Sequence, residues 1–340
     1  PSMSRSLTHL MPAETPVSSS FDLSSSSGSL PYTLILDPDS AGVYAYSQTA
    51  GSLKDIIVRY KMELLWQYAD SANVVVVGSS RPLNSVFPKL LSSQFIGVNF
   101  GMASCTIHMS KDLLMKYIFP HYKKMRYLVV SLDLDFWWKN TTEDNWFHDG
   151  STAKAMTYKG FVYDKNHNYW AGEPDITPLY EASTKAVLAT DSRCENMIET
   201  RGQLQTDCSV SWANNPMSGA AKLDPDRSLL DASMNSLKTI IEESAKRNVM
   251  VIGTIFPMAP EYRNRDYYGY LGMRRSIADS LIGEFTKMSS SYSNFVLFDE
   301  NKGGLHDYVD GMNQDAQHLC DKGGELYTSR LDSLLRELDK

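Results

Sequence analysis

The feature that most constrains the fold is the segment 73–80, NVVVVGSS, in which four consecutive valines precede a glycine and two serines. An uninterrupted run of β-branched residues is typical of a strand buried on both faces, as in a parallel sheet covered by helices. Gly78 would end this strand in a tight turn that leads into a helix. Ser80 would then lie at the carboxyl edge of the sheet, where open α/β folds place their chemistry. An ordinary helix N-cap is the alternative role for a serine here.

Four further strand-like segments follow, separated by segments whose apolar residues recur at helical spacing. The five predicted strands are 74–77, 95–100, 127–132, 249–255 and 294–298. Predicted helices cover 52–68, 86–91, 111–120, 226–247 and 271–288, and a last amphipathic helix buries Leu326, Leu331, Leu334, Leu335 and Leu338. This alternation predicts a flavodoxin-like, three-layer α/β/α fold with a five-stranded parallel sheet.

A second polar motif, Asp315-Ala-Gln-His318, lies in a loop just before the last helix. An acid three residues before a histidine can bind one imidazole nitrogen while the other nitrogen faces a serine. The carboxylate then fixes the tautomer and stabilises the imidazolium that forms when the histidine takes the serine proton. Because the ends of the first and last strands share one edge of such a sheet, we expect Ser80 and His318 to meet.

These motifs resemble those of the SGNH (GDSL-type) hydrolase superfamily over residues 73–338. Gly78-Ser79-Ser80 stands where that family has Gly-Asp-Ser, and Asp315 with His318 matches its Asp-x-x-His block. Gly101, after the second predicted strand, matches the glycine of the second block.

The resemblance implies the SGNH hydrolase fold and a serine esterase that needs no cofactor and no metal. Ser80 would be the nucleophile, His318 the general base and then acid, and Asp315 the carboxylate that orients it. The backbone amides of Ser80 and Gly101 would hold the oxyanion, since a glycine lets a backbone donor come close.

The third block departs from the family pattern. That block normally supplies an asparagine as third oxyanion donor, whereas the third strand here ends in Asp133 and Asp135. An ionised aspartate would repel an oxyanion, so either another residue donates or the hole has only two donors. Losing one donor costs on the order of 10² to 10³ in rate, which predicts modest activity.

Asp133 and Asp135 also support another enzyme class. The segment 127–135 resembles the Asp-x-Asp motif of haloacid-dehalogenase-type phosphatases. In that motif one aspartate is the nucleophile and both aspartates bind magnesium. Trp137 stands where that motif has a small hydroxyl residue, which counts against it. Two further alternatives keep the SGNH fold: a non-catalytic glycan-binding module, favoured by the altered third block, and an acyltransferase, which uses the same acyl-enzyme.

A long polar, aromatic-rich insertion is predicted over residues 139–226, between the third and fourth strands. Aromatic rings can stack on sugars, although a small satellite core is an equal alternative. Candidate substrate-binding residues in or beside this region are Trp137, Trp146, Tyr169 and Trp170, and Arg81, next to Ser80, is a further candidate. Arg81 could instead brace the turn that carries Ser80. With the family resemblance, the insertion favours an acylated carbohydrate as substrate, such as O-acetyl groups of a plant polysaccharide like xylan.

Composition and charge narrow the list of partners. The net charge is −7 with no basic stripe, which argues against nucleic acid as a partner. No apolar run approaches the roughly 18 residues of a membrane-spanning helix. Pairs such as His148 with Asp149 lack a third ligand at metal-binding spacing.

The remaining expectations concern the chain's context. Residues 1–30 are serine-rich and are predicted to be a linker or tail, with the hydrolase domain at 31–340, so the chain is expected to be part of a larger modular protein. Such a linker favours a secreted or cell-surface protein. Cys194 and Cys208 could form a disulfide there, but four free buried thiols are a comparable alternative.

Overall fold

The computed structural model describes residues 57, 60, 61, 64, 65, 67–139, 194, 196–209, 211, 212, 224–269 and 272–340. The predicted linker at 1–30 and most of the predicted insertion at 139–226 lie outside the described residues. The described positions between 57 and 68 are helical, as predicted.

A five-stranded parallel sheet forms the centre of the molecule, as predicted. Its strands are β1 (Val74–Val77), β2 (Gly97–Asn99), β3 (Tyr127–Ser131), β4 (Met250–Ile255) and β7 (Phe295–Asp299), in the spatial order β2-β1-β3-β4-β7. The four valines of β1 are fully buried between β2 and β3. A two-stranded antiparallel ribbon of β5 (Tyr267–Tyr268) and β6 (Met273–Arg274) was not predicted.

Helices occupy the connections between the strands. They are α1 (Ser80–Ser85), α2 (Ile107–Leu113), α3 (Phe119–His121), α4 (Arg227–Ala245), α5 (Arg275–Ser291) and α6 (Asp321–Leu338), and a π-helical turn, Leu114–Ile118, joins α2 to α3. Short 3-10 turns lie at Pro88–Leu90, Leu134–Phe136, Pro260–Asn264 and Lys302–Gly304.

The helix after β1 differs from the prediction. It begins at Ser80, immediately after the turn, and a single 3-10 turn at Pro88–Leu90 stands where 86–91 was predicted to be helical. Pro88 explains the difference, because a residue before proline is pushed out of the helical region, and Phe87 has φ −102° and ψ 89°.

The helices form two layers on opposite faces of the sheet. The connection from β1 to β2 runs toward one edge of the sheet, and the connections from β2 to β3, β3 to β4 and β4 to β7 run toward the other edge. Because such crossovers are right-handed, α1 lies on one face of the sheet and α2, α4 and α5 lie on the opposite face. Consistent with this, α2 packs against α4, and α6 packs against α1. On α6, Leu331 and Leu335 are buried, and Leu326, Leu334 and Leu338 pack against the core at its margin. The result is the expected three-layer α/β/α fold.

A disulfide joins Cys208 to Cys320, while Cys105 and Cys194 are buried and lie outside any disulfide. Both alternatives left open by the sequence, a Cys194–Cys208 bridge and four free thiols, were therefore wrong. Residues 203–209 run alongside the loop before α6, where Ser209 N–H donates to the Asn313 carbonyl at 2.7 Å. The contact between these two segments, which are distant in sequence, brings Cys208 close to Cys320.

None of the helices among the described residues combines the length and the apolar character needed to cross a membrane.

Candidate active site

The turn after β1 places two serines in different roles. Gly78 has φ +138°, and a Cβ built on it would lie 2.3 Å from Ser131 Cβ in β3, so only glycine fits here. Ser79 is buried and caps α1, because its hydroxyl accepts the Arg81 N–H at 3.2 Å. Ser80 is the first helical residue and is partly exposed. The N-cap role thus falls to Ser79 and leaves the Ser80 hydroxyl available.

Ser80, His318 and Asp315 form a continuous chain of hydrogen bonds. Ser80 Oγ lies 2.8 Å from His318 Nε2. His318 Nδ1 lies 2.9 Å from each carboxylate oxygen of Asp315. Because the carboxylate can only accept, Nδ1 carries the imidazole proton, and Nε2 is left to accept the Ser80 O–H. The three residues that the sequence singled out therefore meet at the carboxyl edge of the sheet.

Asp315 is held in its ionised form. Burial opposes its ionisation, but hydrogen bonds from His318 and from the backbone amides of Gln317 and His318 outweigh that effect and lower the pKa of Asp315 below its ordinary value. The Asp315 side chain is 44% exposed and that of His318 is 20% exposed. A substrate can thus approach an imidazole that is already oriented.

The loop that carries the histidine is fixed at both ends. Gln314 N–H donates to the His318 carbonyl at 2.9 Å, and Asn313 forms an isolated antiparallel bridge with Leu319. Two residues after His318, Cys320 is bonded to Cys208. A loop with these cross-links has fewer conformations available, which favours a constant position of the imidazole.

The Gly101 amide is already engaged and is not an oxyanion donor in this structure. It donates to Asn99 Oδ1 at 2.8 Å, while Asn99 Nδ2 donates to the carbonyls of Pro82 and Val86 at 2.7 and 3.0 Å. The prediction for Gly101 was wrong because the Asn99 side chain accepts this N–H, and the same side chain ties β2 to the C-terminal end of α1 through its Nδ2. A Cβ on Gly101 would lie 2.6 Å from Leu83 N, so the glycine serves close packing against α1.

Of the two predicted oxyanion donors, the Ser80 amide keeps a suitable position. It lies at the first position of α1, where a helix supplies no intrahelical acceptor for a backbone amide. The same peptide belongs to the nucleophile itself, so it is close to any carbonyl that Ser80 attacks.

Arg81 does not face a substrate. Its side chain is 4% exposed, and its guanidinium binds Asp133 at 2.8 Å and Asp135 at 2.7 and 2.8 Å. Burial alone would lower the pKa of Arg81, but the two carboxylates outweigh this and raise it well above its ordinary value. Of the two roles predicted for Arg81, the structure supports the bracing role.

The same contacts bear on the magnesium alternative. Asp133 is 8% exposed and Asp135 is fully buried, and both are bound to a guanidinium where a phosphatase would need a metal ion. Within the described part of the chain, no group of three or more His, Cys, Asp or Glu side chains could hold a metal ion. The Asp-x-Asp pair is therefore an ion-pair partner of Arg81.

Trp137 is part of the core and not a stacking platform. It is 2% exposed, and its ring packs edge-on against Phe285 of α5 with centroids 5.1 Å apart. The prediction that Trp137 binds substrate was wrong, because the residue lies where the chain leaves β3 and meets the helical layer. The other candidate aromatic residues, Trp146, Tyr169 and Trp170, lie outside the described residues.

Two residues near the site were not assigned a role from sequence. Gln317 contacts the Arg81 guanidinium through its backbone carbonyl and its side-chain oxygen, both at 3.3 Å. Asn99 uses both ends of its amide to join β2 to α1. Gln317 lies inside the Asp-x-x-His motif, and Asn99 is the last residue of β2, so the sequence provides a weak indication of a role for each.

Comparison with known proteins adds little to this geometry. No family model matches the chain. No match was found among curated proteins. One solved structure with some similarity is described as that of "a putative platelet activating factor from Streptococcus pneumonia"; it shares 12% identity, with a TM-score of 0.41, over 82% of this chain and 91% of that chain. A similarity at this level carries no argument, so the function has to be inferred from the site itself.

Proposed function

We propose that this protein is a serine ester hydrolase of the SGNH type that works through an acyl-enzyme on Ser80. The observation that carries the proposal is the unbroken chain from Ser80 Oγ through the imidazole of His318 to the carboxylate of Asp315. A nucleophile, a base and a group that orients the base are the three parts that nucleophilic acyl transfer requires.

The chemistry follows from the direction of the hydrogen bonds. Ser80 Oγ attacks the ester carbonyl carbon while its proton moves to His318 Nε2, and Asp315 stabilises the imidazolium. When the tetrahedral intermediate collapses, the carbon–oxygen bond to the alcohol breaks and the alcohol takes the proton from Nε2. Water then attacks the acyl-enzyme with His318 again as base, which releases the acid and restores Ser80.

The oxyanion is held mainly by the amide of Ser80 in this proposal. The Gly101 amide is engaged by Asn99, and the third-block position carries Asp133, which is bound to Arg81. Because each missing donor costs on the order of 10² to 10³ in rate, we expect a modest kcat on simple esters.

An acylated carbohydrate is the proposed substrate class, with O-acetyl groups of a polysaccharide such as xylan as the first choice. Support comes from the aromatic-rich insertion at 139–226, whose aromatic side chains suit stacking on sugar rings. The proposed location is outside the cell. The disulfide between Cys208 and Cys320 supports it, because such bonds persist in oxidising compartments.

The test is hydrolysis of p-nitrophenyl acetate and of acetylated xylan by the purified chain, beside Ser80→Ala and with a magnesium chelator. We expect acetate release that is lost in Ser80→Ala and unaffected by the chelator. Ser236→Ala is the matched control, since Ser236 also lies against a histidine but is buried between helices. Activity that survives Ser80→Ala, or phosphate-ester cleavage that needs magnesium, would refute the proposal.

The same assay separates hydrolysis from acyl transfer. An acyltransferase would form the acyl-enzyme, seen as a burst of p-nitrophenol equal to the enzyme, and would turn over only when a carbohydrate acceptor is added. Steady turnover in water alone is the result expected of a hydrolase.

A further inference from the structure

The guanidinium of Arg81 connects four parts of the molecule around the nucleophile. Arg81 follows Ser80 directly in α1. Its Nη1 donates to Asp133 and Asp135 at the end of β3, and its Nη2 donates to Asp135. Nη2 also contacts Met258 Sδ, just after β4, at 3.5 Å, and Gln317 Oε1 at 3.3 Å, while Nε donates to the Gln317 carbonyl at 3.3 Å. All five N–H donors of the fork are thereby directed at acceptors.

The contact with the Gln317 carbonyl acts on the base most directly. The peptide between Gln317 and His318 is held at both ends: its carbonyl accepts from Arg81 Nε, and its N–H donates to Asp315 Oδ1 at 2.9 Å. This peptide is the one from which the imidazole of His318 extends. Arg81, adjacent to the nucleophile, therefore fixes this peptide plane together with Asp315.

A buried ionic cluster of this kind is weak evidence for a stabilising role. One guanidinium and two carboxylates are buried together, and removing such charges from water costs much of what their attraction returns. Well-packed apolar residues often stabilise a core as well as a buried ionic cluster does. The planar guanidinium contributes orientation, because its N–H groups fix the angles between α1, the end of β3 and the loop that carries His318.

We propose that Arg81 is a positioning residue for the reaction on Ser80: from the first turn of α1 it holds the Gln317–His318 peptide and so sets the distance between Ser80 Oγ and His318 Nε2. This inference rests on the proposed function. Asp133 and Asp135 serve it by orienting the guanidinium.

The first test is Arg81→Lys, which keeps the charge but loses the fork and the Nε donor. A misplacement of about 1 Å can cost on the order of 10² in rate, so kcat for p-nitrophenyl acetate should fall by that factor while KM stays within about twofold. Nitrogen-15 NMR of the imidazoles should show His318 change from the pure Nδ1–H tautomer to a mixture of tautomers.

Arg330→Lys is the matched control. Arg330 on α6 likewise binds two carboxylates, Glu300 at 2.7 Å and Asp307 at 2.6 Å, but it contacts neither Ser80 nor the His318 loop in the interactions that the structure describes. We expect this variant to lower the melting temperature and to leave kcat and the His318 spectrum unchanged.

A second variant covers the case in which Arg81→Lys does not fold. Combining Arg81→Gln with Asp133→Asn and Asp135→Asn removes all three charges together, so no buried charge is left unpaired. It should show the same loss of kcat and the same mixed His318 spectrum.

Two results would overturn the inference: an unchanged kcat with an unchanged His318 spectrum in a folded Arg81 variant, or an equal loss of kcat in Arg330→Lys. If the wild-type protein cleaves no ester, the proposed function fails. The NMR measurement still decides whether Arg81 fixes the imidazole.

Discussion

Among the residues that the structure describes, His318 and His108 each lie within hydrogen-bond distance of a serine hydroxyl, but only His318 has the surroundings of a general base. His318 Nε2 is 2.8 Å from Ser80 Oγ, and His108 Nδ1 is 2.9 Å from Ser236 Oγ. His108 lies on α2 against α4 and is only 6% exposed, and Ser236 is 5% exposed, so no ester can reach Ser236. A short serine–histidine distance is therefore not in itself a catalytic feature.

The second partner of each imidazole makes the difference. His318 Nδ1 donates to a carboxylate that can stabilise the imidazolium, whereas His108 Nε2 faces Ser233 Oγ at 3.2 Å, whose own hydrogen goes to the Trp137 carbonyl. A neutral hydroxyl offers no compensating charge. Burial and, to a lesser extent, Lys111 lower the pKa of His108, which keeps it neutral. The two imidazoles thus carry their protons on opposite nitrogens.

The largest difference between the two sites is expected on removing the imidazoles. His318→Ala should lower kcat for p-nitrophenyl acetate by on the order of 10⁴ to 10⁶, because the proton of Ser80 loses its acceptor. His108→Asn should leave kcat unchanged and reduce the free energy of unfolding by about 1–3 kcal/mol, the usual cost of buried polar groups left unpaired. Steady-state kinetics and urea unfolding check both. Equal losses of kcat in the two variants would refute the assignment of the general base to His318 alone.

Next in size is the effect of the carboxylate. Asp315→Asn should lower kcat by about 10⁴, because the amide no longer selects the tautomer with its proton on Nδ1. The free energy of unfolding should fall slightly, because the side chain is 44% exposed but its carboxylate accepts the Gln317 and His318 N–H groups. Kinetics together with imidazole nitrogen-15 spectra measure this effect; a change in the His108 signals would show that the two sites are coupled, contrary to expectation.

Covalent support distinguishes the two sites as well, because His318 lies on a loop with a disulfide and His108 lies on a helix. The bond between Cys208 and Cys320 closes a sequence separation of 112 residues. Replacing both cysteines by serine should therefore reduce the free energy of unfolding by roughly 2–5 kcal/mol. Thermal and urea unfolding of this variant, with Cys105→Ser as control for loss of a buried thiol, provide the measurement. A stability equal to that of the wild type would mean that hydrogen bonds alone hold the loop.

The smallest expected effect is the pH dependence of the free energy of unfolding, to which the two sites contribute in different pH ranges. His108 has a lowered pKa in the folded state, so the unfolded chain binds its proton first, and stability is lost as the pH falls below about 6.5, the ordinary histidine value. Asp315 also has a lowered pKa, so its contribution is present above its ordinary value of 3.8 and is lost as the pH falls through its lower folded pKa. Urea unfolding between pH 3 and 8 should show both losses. His108→Asn should reduce only the loss nearer neutrality, and part of that loss should remain because burial also lowers the pKa of His306. A curve that this substitution does not change would contradict the assignment.

Local signals in the sequence were sufficient for the sheet and for the three residues of the hydrogen-bonded chain. Four valines before Gly78 define a buried strand and its end wherever the rest of the chain lies, and Asp315 and His318 are close in sequence and hydrogen-bond within one loop. The strand order then places Ser80 beside that loop. Each of these features depends on short-range patterns and on the general rule that parallel strands end at one edge.

The tertiary structure alone decided the partners of the surrounding groups. The Gly101 amide could have faced a substrate until Asn99 was seen to accept its hydrogen bond, and Trp137 could have lain at the surface until α5 was seen to cover it. Cys208 pairs with Cys320 because a distant segment runs beside the His318 loop. Periodicity and motifs report the state of a residue's own segment, whereas these contacts join segments far apart in the chain, and only the packing of the layers brings such segments together.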